Sequence, residues 1–273
     1  MIVWYNKKTK KIGEIMFSRP GTYPACGMFN TIHFISMTIC FITIITCVVL
    51  TRKITTEKMN KVIKITAIIV SVLEVVKMAF NIYYEGFNYL NNIIPLHFCS
   101  LFIYSLWMAG FGKGTIKNIG ESFLAGGCII AGAFFLIMPS SSLLIFPIFH
   151  YQCLYSLLFH SLMLYFGLMY FIKGFFKLNF KNYIYYFIFV SIFCVLAFSI
   201  NEITGLIENI NSTNLMFIRE PWGLPLDFLV KIYNIHPYLY SFCIYIAYAL
   251  LIYLPTMGLK TLISNRKDMK NYD

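Results

Sequence analysis

A carboxylate and an ammonium group lie three residues apart inside a long apolar stretch of this sequence. Asn81 follows Glu74 and Lys77, and spacings of three and four residues place all three on one face of a helix. A Lys or Asp at the centre of a membrane helix costs roughly 2.5–3.5 kcal/mol on insertion scales. The spacing therefore predicts a polar helix face directed into a cavity. The alternative is that Glu74 and Lys77 only pair with each other, or that Lys77 extends its amine towards the headgroups.

Two histidines lie deep in other apolar stretches. His97 is followed two residues later by Cys99, and His160 shares a helix face with Gln152 because eight residues separate them. An imidazole can act as a general base and a thiol as a nucleophile. These residue types suit nucleophilic chemistry in which His160 or His97 is the base, Cys99 is the nucleophile and Lys77 stabilises a developing oxyanion. The alternative for each histidine is a hydrogen bond across a helical bundle.

The other three histidines, His33, His150 and His236, lie near the ends of apolar stretches. A histidine at such a position often serves only to contact headgroups. His150 opens the helix that carries Gln152, and Tyr240 lies one turn below His236. We therefore expect His150 and Tyr240 to border the same cavity, with a structural role as the alternative for each histidine.

Composition indicates an all-α, polytopic membrane protein. The chain has 273 residues, of which 59% are hydrophobic and only 12% are charged, whereas soluble domains carry about 25% charged residues. The formal net charge of +11 would suggest nucleic acid in a soluble protein. Here the basic residues cluster between apolar stretches, as they do beside anionic lipid. We therefore expect membrane lipids as partners and no nucleic acid.

Seven stretches have a length and composition that suit a membrane-spanning helix, which needs about 20 apolar residues. The sequence therefore predicts a seven-transmembrane-helix bundle at residues 29–258, between basic tails at 1–28 and 259–273, and leaves the oligomeric state open. The predicted spans are 29–50, 61–84, 93–111, 122–138, 149–172, 182–203 and 236–257.

The distribution of Lys and Arg predicts the orientation of this bundle. The first, third and fifth loops and the C-terminal tail together carry 14 of these residues, against 7 in the N-terminal tail and the sixth loop. Cytoplasmic segments are enriched in Lys and Arg. We therefore expect a multi-pass protein of the cell membrane with its N-terminus outside and its C-terminus in the cytoplasm. In this orientation the polar groups lie in the outer half of the membrane or near its midplane.

The sixth loop is too polar to span the membrane and too apolar to be a free loop. Residues 213–232 include four charged side chains together with many large apolar ones. We expect this segment to pack over the extracytoplasmic mouth of the bundle, with a short helix near 226–233.

Motifs for metal, phosphate and hydrolase chemistry are absent from the sequence. It contains no HExxH, CxxC, Gly-rich phosphate loop or GxSxG pattern. His150 and His160 are ten residues apart, which is poor spacing for two metal ligands on one helix. We therefore expect neither a metal nor a cofactor.

Short segments within residues 60–250 follow a recognisable order and spacing. They are Glu74 with Lys77, residues 94–99 (IPLHFC), residues 146–152 (FPIFHYQ), His160, and residues 214–217 (NLMF) with Pro221. In these segments the chain resembles YwaF-like bacterial integral membrane proteins, a group similar to the animal transmembrane-protein-164 family, whose members are regarded as lipid acyltransferases. The resemblance implies a membrane Cys as nucleophile beside the His of the third helix, and a distant His as base. Here Leu96 precedes His97 and the nearest thiol is Cys99, so these roles fall on Cys99, His97 and His160.

Two functions stay open from the sequence. The first is a lipid-modifying enzyme of the acyl-transfer type. The second is a non-enzymatic bundle, a transporter or a ligand sensor, in which Glu74 and the histidines bind a small polar ligand or relay protons. The two differ in one distance, since an enzyme with a Cys99 nucleophile needs the sulfur within reach of an imidazole.

Overall fold

The computed structural model of the protein describes residues 12–208, 210–221 and 226–269, and the predicted tails are therefore covered only in part. Within these ranges the chain is helical and contains no strand. The α-helices are α1 Ile12–Met16, α2 Thr31–Thr51, α3 Thr56–Glu85, α4 Leu90–Ile93, α5 Leu101–Phe111, α6 Gly114–Gly126, α7 Cys128–Ile137, α8 Ser140–Leu143, α9 Tyr151–Lys173, α10 Phe180–Leu206, α11 Asp227–Ile235, α12 Pro237–Ile246 and α13 Tyr253–Met269. Short 3₁₀ segments cover Phe98–Ser100 and Leu215–Phe217, and a π-helical segment covers Ala247–Leu251.

Long apolar helices confirm that this is a multi-pass membrane protein. Among the described residues, five helical stretches are long and apolar enough to cross a bilayer, and a sixth is possible if two bent helices form one span. The five are Thr31–Thr51, Leu90–Phe111, Tyr151–Lys173, Phe180–Leu206 and Pro237–Ile263, and the bent pair is α6 with α7. The predicted span at 61–84 is helical and lies within α3, but it is not among these five. The number seven therefore stays a prediction.

Two predicted spans differ in detail from the structure. The span predicted at 93–111 is not one continuous helix, because the backbone is extended at Ile94 and resumes a helical course only at Phe98. Pro95 explains the break, since proline lacks the N–H donor and forces the preceding residue out of the helical region. The span predicted at 122–138 begins earlier, at Gly114, and bends by 40° between α6 and α7.

The core depends on close helix contacts at glycine. A Cβ atom on Gly120 of α6 would lie 2.5 Å from the backbone nitrogen of Ala109 in α5. A Cβ atom on Gly132 of α7 would lie 2.8 Å from the backbone nitrogen of Leu164 in α9, and one on Gly167 of α9 would lie 2.8 Å from that of Ile129. Small residues allow membrane helices to approach closely where their interface gains little from the hydrophobic effect. These contacts hold α5 against α6 and α7 against α9.

Helix α9 lies in the interior of the bundle, and α2 lies at its periphery. More than half of the α9 span is buried, against 6% of the α2 span. Tyr151 of α9 donates a hydrogen bond of 2.5 Å to the carbonyl oxygen of Leu73 in α3. The N-terminal tail packs at the end of the bundle where α9 begins, because the backbone nitrogen of Cys26 donates to the carbonyl of Phe146. This packing places the tail on the same side as the start of α9.

Replacing Gly120 by Ala should destabilise the bundle, because the added methyl group collides with the backbone of α5. Overpacking of this kind typically costs about 1–3 kcal/mol. Gly258→Ala in α13 is the matched control. No atom lies within 4 Å of the Cβ position there, so the helix should gain up to about 1 kcal/mol. Unfolding in detergent checks both changes, and equal stability of the two variants would contradict the close contact.

Candidate functional site

One cavity of about 830 Å³ lies inside the bundle, between α3, the segment 94–100, α7, α9 and the helices near the C-terminus. The polar faces of α3 and α9 line this cavity, and so does His97, which follows shortly after Pro95. Its polar lining consists of Glu74, Lys77, Asn81, Glu85, Asn91, Asn92, His97, Cys99, Ser100, Ser140, Ser141, Gln152, Tyr155, Ser156, His160 and Tyr248. Seven of the nine residues that the sequence nominated therefore border one cavity.

Glu74 and Lys77 form an ion pair in this cavity, and a side chain of α9 also binds the carboxylate. Lys77 Nζ lies 2.5 Å from Glu74 Oε1, and Tyr155 of α9 donates a hydrogen bond of 2.6 Å to Glu74 Oε2. The side chain of Glu74 is 6% exposed, whereas that of Lys77 is 21% exposed. An ammonium group has three donors. Among the described residues the structure gives Lys77 one ion-pair partner, the carboxylate, and places its Nζ 5.9 Å from the centroid of the Tyr155 ring. Lys77 can therefore donate further hydrogen bonds to a ligand.

An amide network continues the polar wall towards the end of α3. Gln152 Nε2 donates to Asn81 Oδ1 over 2.6 Å, and Asn81 Nδ2 donates to the carbonyl of Asn92 over 2.6 Å. Asn92 in turn donates to Glu85 Oε2 over 2.7 Å. This chain of bonds joins α3, α4 and α9, and it holds Asn81 and Gln152 in fixed orientations.

His97 presents one unprotonated nitrogen inside the site. Its Nε2 lies 3.2 Å from the carbonyl oxygen of Asn91. A carbonyl can only accept, so in the neutral imidazole Nε2 carries the proton and Nδ1 carries the lone pair. Nδ1 is buried and has no hydrogen-bond partner among the described residues. The extended backbone after Pro95 makes this orientation possible, since His97 still has extended dihedral angles just before the helix resumes.

His160, on α9, also has one ring nitrogen bonded to a carbonyl oxygen and the other without a partner among the described residues. Its Nδ1 lies 2.8 Å from the carbonyl oxygen of Ser156, which fixes the proton on Nδ1 and the lone pair on Nε2. Nε2 is buried and unpaired within the described part of the chain. The ring stacks on Phe135 of α7 with a centroid distance of 3.5 Å and an interplanar angle of 7°. This stack is possible because Gly132 lets α7 approach α9. Two imidazoles thus border one cavity, and each has one buried ring nitrogen without a hydrogen-bond partner among the described residues.

Cys99 lies on the short 3₁₀ turn after His97 and borders the cavity. Within the described ranges no hydrogen bond joins its sulfur to either imidazole. A thiol becomes a strong nucleophile when a base or a nearby positive charge favours the thiolate. The geometry therefore gives Cys99 a place in the cavity wall without a hydrogen bond to an imidazole among the described residues.

His150 and Tyr240 lie outside the cavity lining. His150 accepts a hydrogen bond from the backbone nitrogen of Gln152 at Nδ1, and its Nε2–H donates to the carbonyl of Ser18. Tyr240 donates to the carbonyl oxygens of Phe217 and Glu220. His150 thus caps α9 and attaches the N-terminal tail, and Tyr240 anchors the sixth loop.

The sixth loop forms a fixed roof beside His97. We name residues 213–221 the roof segment. Asn201 Oδ1 accepts from the backbone nitrogen of Leu215, and Tyr248 donates to the carbonyl of Met216. Met216 and Phe217 adopt left-handed backbone angles, with φ of 55° and 52°. Such angles are strained for residues other than glycine and persist where surrounding contacts hold them. As a result the Phe217 ring lies 5.8 Å from the His97 ring.

Tyr155 is the site residue that the sequence analysis missed. It lies three residues after Gln152, on the polar stripe that continues to His160. Its helical spacing could have identified it, but tyrosine is common in this chain as an apolar packing residue. Phe135 of α7 was also missed, and no sequence pattern indicates its stack on His160.

A metal centre finds no support in the described part of the chain, where no group of three or more His, Cys, Asp or Glu side chains could hold an ion. The site instead offers one ammonium group, two neutral acceptor nitrogens and an amide wall.

Comparison with known proteins places this chain in a family. The sequence model of the TMEM164 family matches residues 28–259. The chain belongs to this family. The match includes every residue that lines the cavity except Pro20. It confirms the resemblance to transmembrane-protein-164 relatives, while the narrower YwaF-like bacterial grouping stays a prediction. No curated protein and no solved structure matches this TMEM164-family chain.

Breaking the Glu74–Lys77 pair from one side should destabilise this TMEM164-family protein more than removing both charges. Lys77→Met leaves a buried carboxylate without its cation, and loss of one partner of a buried pair typically costs about 3–5 kcal/mol. The double variant with Glu74→Gln should lose less than the sum of the single changes. Unfolding in detergent measures this coupling.

The exposed pair of Glu57 and Lys61 provides the control for that cycle. Its side chains are 81% and 70% exposed, so Glu57→Gln should change stability by less than about 0.5 kcal/mol. Strictly additive effects at Glu74 and Lys77 would show that the two charges do not stabilise each other.

Proposed function

We propose that this protein binds an amphiphilic membrane lipid in the cavity and transfers an acyl group on it. The single observation that carries the proposal is the pairing of Lys77 with two imidazoles of fixed tautomer in one cavity. A ligand headgroup would lie near Lys77, His97 and Gln152, where donors and acceptors are already oriented.

The remainder of the cavity suits a hydrocarbon chain. Away from the polar wall it is lined by apolar side chains of α7, α11, α12 and the π-helical segment, namely Ile130, Ala131, Phe134, Phe135, Met138, Leu226, Phe228, Leu229, Ile232, Ile244, Ala247, Leu251 and Ile252. Ligand sites commonly combine a mostly apolar wall with a few polar groups that fix orientation. A molecule with one polar end and one long apolar part fits this division, whereas a small polar ligand would leave most of the apolar wall unoccupied.

The geometry favours direct transfer with His160 as the general base. In this reaction a hydroxyl of the acceptor lipid gives its proton to His160 Nε2, and its oxygen attacks the ester carbon of the acyl donor. Lys77 stabilises the negative charge on the former carbonyl oxygen. When the intermediate collapses, the bond to the leaving alkoxide breaks and the imidazolium returns the proton to that oxygen. A route through Cys99 would need an activated thiol, and the sulfur has no imidazole partner among the described residues.

A non-enzymatic role is the second candidate, favoured by the same position of Cys99. In that case the protein is a ligand sensor or transporter, and the two acceptor nitrogens only hold the headgroup or relay protons. Lipid binding without turnover distinguishes it from the enzyme.

We infer that α3 also crosses the membrane, which gives seven spans in the cell membrane, with the N-terminus outside and the C-terminus in the cytoplasm. At 30 residues and 1.5 Å per residue, α3 is about 45 Å long. Between residues 65 and 76 its exposed side chains are aliphatic, whereas Glu74 is buried; they are Ile65, Ile68, Ile69, Val72, Val75 and Val76. An aliphatic outer face with a buried charge opposite is typical of a helix that contacts lipid on one side.

Labelling of engineered cysteines should test this orientation. A cysteine at Ser141 should react with an impermeant maleimide added to intact cells, and a cysteine at Lys177 should react only after the cells are opened. The protein without the engineered cysteine is the control for its eight native thiols. Labelling of intact cells at Lys177 alone would invert the orientation.

Substitution of His160 should separate the enzyme from the binding protein. Purified protein in nanodiscs, given a fatty-acyl phospholipid donor and a lysophospholipid acceptor, should lose at least about 100-fold in turnover in His160→Ala, as for loss of a general base. His236 is exposed and lies outside the cavity lining, so His236→Ala should keep wild-type turnover.

Cys99→Ala tests the covalent route in the same assay. We expect it to retain most of the turnover, because direct transfer does not use the thiol. An acyl adduct on Cys99 would establish the covalent route instead. Bound lipid with no turnover in the wild type would favour the sensor or transporter, and full turnover in both Cys99→Ala and His160→Ala would exclude either residue from catalysis.

A further inference from the structure

The apolar side of the cavity lies between helices that pack mainly on other parts of the bundle. Helix α7 packs against α9, whereas the π-helical segment Ala247–Leu251 packs against α10, α12 and α13. Both contribute apolar side chains to the cavity. The cavity thus reaches the gap between them.

The edges of this gap are exposed and apolar. Five large apolar residues both line the cavity and are exposed, and we name them the lateral opening: Phe134, Ile145, Leu226, Phe228 and Leu251. Leu251 is 65% exposed and Phe134 is 55% exposed. Both belong to the spans or the bent helix pair that suit the bilayer. Exposed apolar side chains on membrane-spanning helices suit contact with lipid chains.

Contacts with neighbouring helices hold both sides of the lateral opening in place. A π-helix disturbs the normal hydrogen bonds of an α-helix, and π segments occur frequently at functional sites. Here Tyr183 and Tyr186 of α10 donate to the carbonyl oxygens of Ala249 and Tyr248. On the other side, the stack of Phe135 on His160 fixes α7. The gap is therefore built between two anchored walls.

The roof segment closes the neighbouring route beside His97. Its strained turn at Met216 and Phe217 is held by Tyr248 and Tyr240, and the Phe217 ring borders the cavity. The polar rim at Glu85 and Asn92 is joined by a hydrogen bond of 2.7 Å. A lipid that passed this rim would expose its chains to water, which is unfavourable in proportion to the apolar area.

We propose that a bilayer lipid enters the cavity sideways through the lateral opening, from the membrane half that contains the start of α9. The occupant of the lateral opening is a lipid acyl chain, whose headgroup moves between α7 and the π-helical segment towards Lys77. This inference rests on the proposed lipid binding and adds the route and the source of the ligand, namely lipid already dissolved in the membrane.

Exchange of bound lipid in nanodiscs tests the route without any need for turnover. A deuterated lysophospholipid is added, and native mass spectrometry follows its replacement of unlabelled lysophospholipid on the protein. Leu251→Trp narrows the lateral opening and should slow exchange about tenfold, since narrowing a passage raises the barrier in both directions. Phe134→Ala widens it and should speed exchange. Native mass spectrometry gives the share of protein with bound lipid in the same spectra, so the exchange rate is read separately from any change in occupancy.

Two control variants make the same changes of residue type, Leu to Trp and Phe to Ala, at exposed positions outside the cavity lining. Leu196→Trp in α10 and Phe242→Ala in α12 replace residues that are 47% and 59% exposed, and both should exchange at the wild-type rate. If Leu251→Trp fails to fold, faster exchange in Phe134→Ala relative to Phe242→Ala still supports the route.

Three outcomes would overturn the inference. Wild-type exchange rates in Leu251→Trp and Phe134→Ala, with lipid bound, would exclude lateral access while leaving the proposed function intact. Faster exchange in Asn92→Ala, with no effect at Leu251 or Phe134, would place access at the polar rim. Absence of bound lysophospholipid in the wild type would remove both the inference and the proposed function.

Discussion

The need to satisfy a carboxylate in a low-dielectric interior governs the central part of this structure. The side chain of Glu74 is almost completely buried, and it is held by the ammonium group of Lys77 on its own helix and by the hydroxyl of Tyr155 on α9. A buried charge is tolerated only with such partners. Because one partner comes from a different helix, the requirement also sets how α3 and α9 face each other. Bonds from Tyr151 to Leu73 and from Gln152 to Asn81 follow the same interface.

Irregular backbone supplies the rest of the site. The break at Pro95 positions His97, the left-handed turn at Met216 and Phe217 positions the roof segment, and the π-helical segment positions Tyr248. Each lies beside the cavity, where neighbouring side chains satisfy the freed backbone groups, as membrane proteins require of non-helical segments. The hydroxyl groups of Tyr183, Tyr186, Tyr240 and Tyr248 all donate to backbone carbonyl oxygens. The hydroxyl groups of these tyrosines thus satisfy backbone acceptors, while their rings contribute to packing.

The distribution of polar groups explains why a lipid is the favoured ligand. Donors and acceptors occupy one wall, and the rest of the cavity is mainly apolar and includes exposed apolar side chains. The two imidazoles have their protons fixed by carbonyl oxygens on one nitrogen, which leaves the other as an acceptor. A small transported solute would need polar contacts around its whole surface, whereas an amphiphile needs them at one end. The match to the TMEM164 family over residues 28–259 is consistent with membrane chemistry and does not by itself assign an activity.

The sequence alone determined the membrane class, the main helices and the stripes on α3 and α9, because hydrophobic length and spacings of three and four residues are local properties. It therefore placed Glu74, Lys77, Asn81, Gln152 and His160 on the correct faces. Only the tertiary structure decided how these faces meet. Tyr155 bonds Glu74, Phe135 stacks on His160, and His150 turns away to cap α9. It also decided that Cys99 has no imidazole partner among the described residues and that the fourth predicted span begins at Gly114 and bends. Helix rotation, glycine contacts and breaks at proline depend on neighbouring elements, so periodicity in one segment cannot specify them.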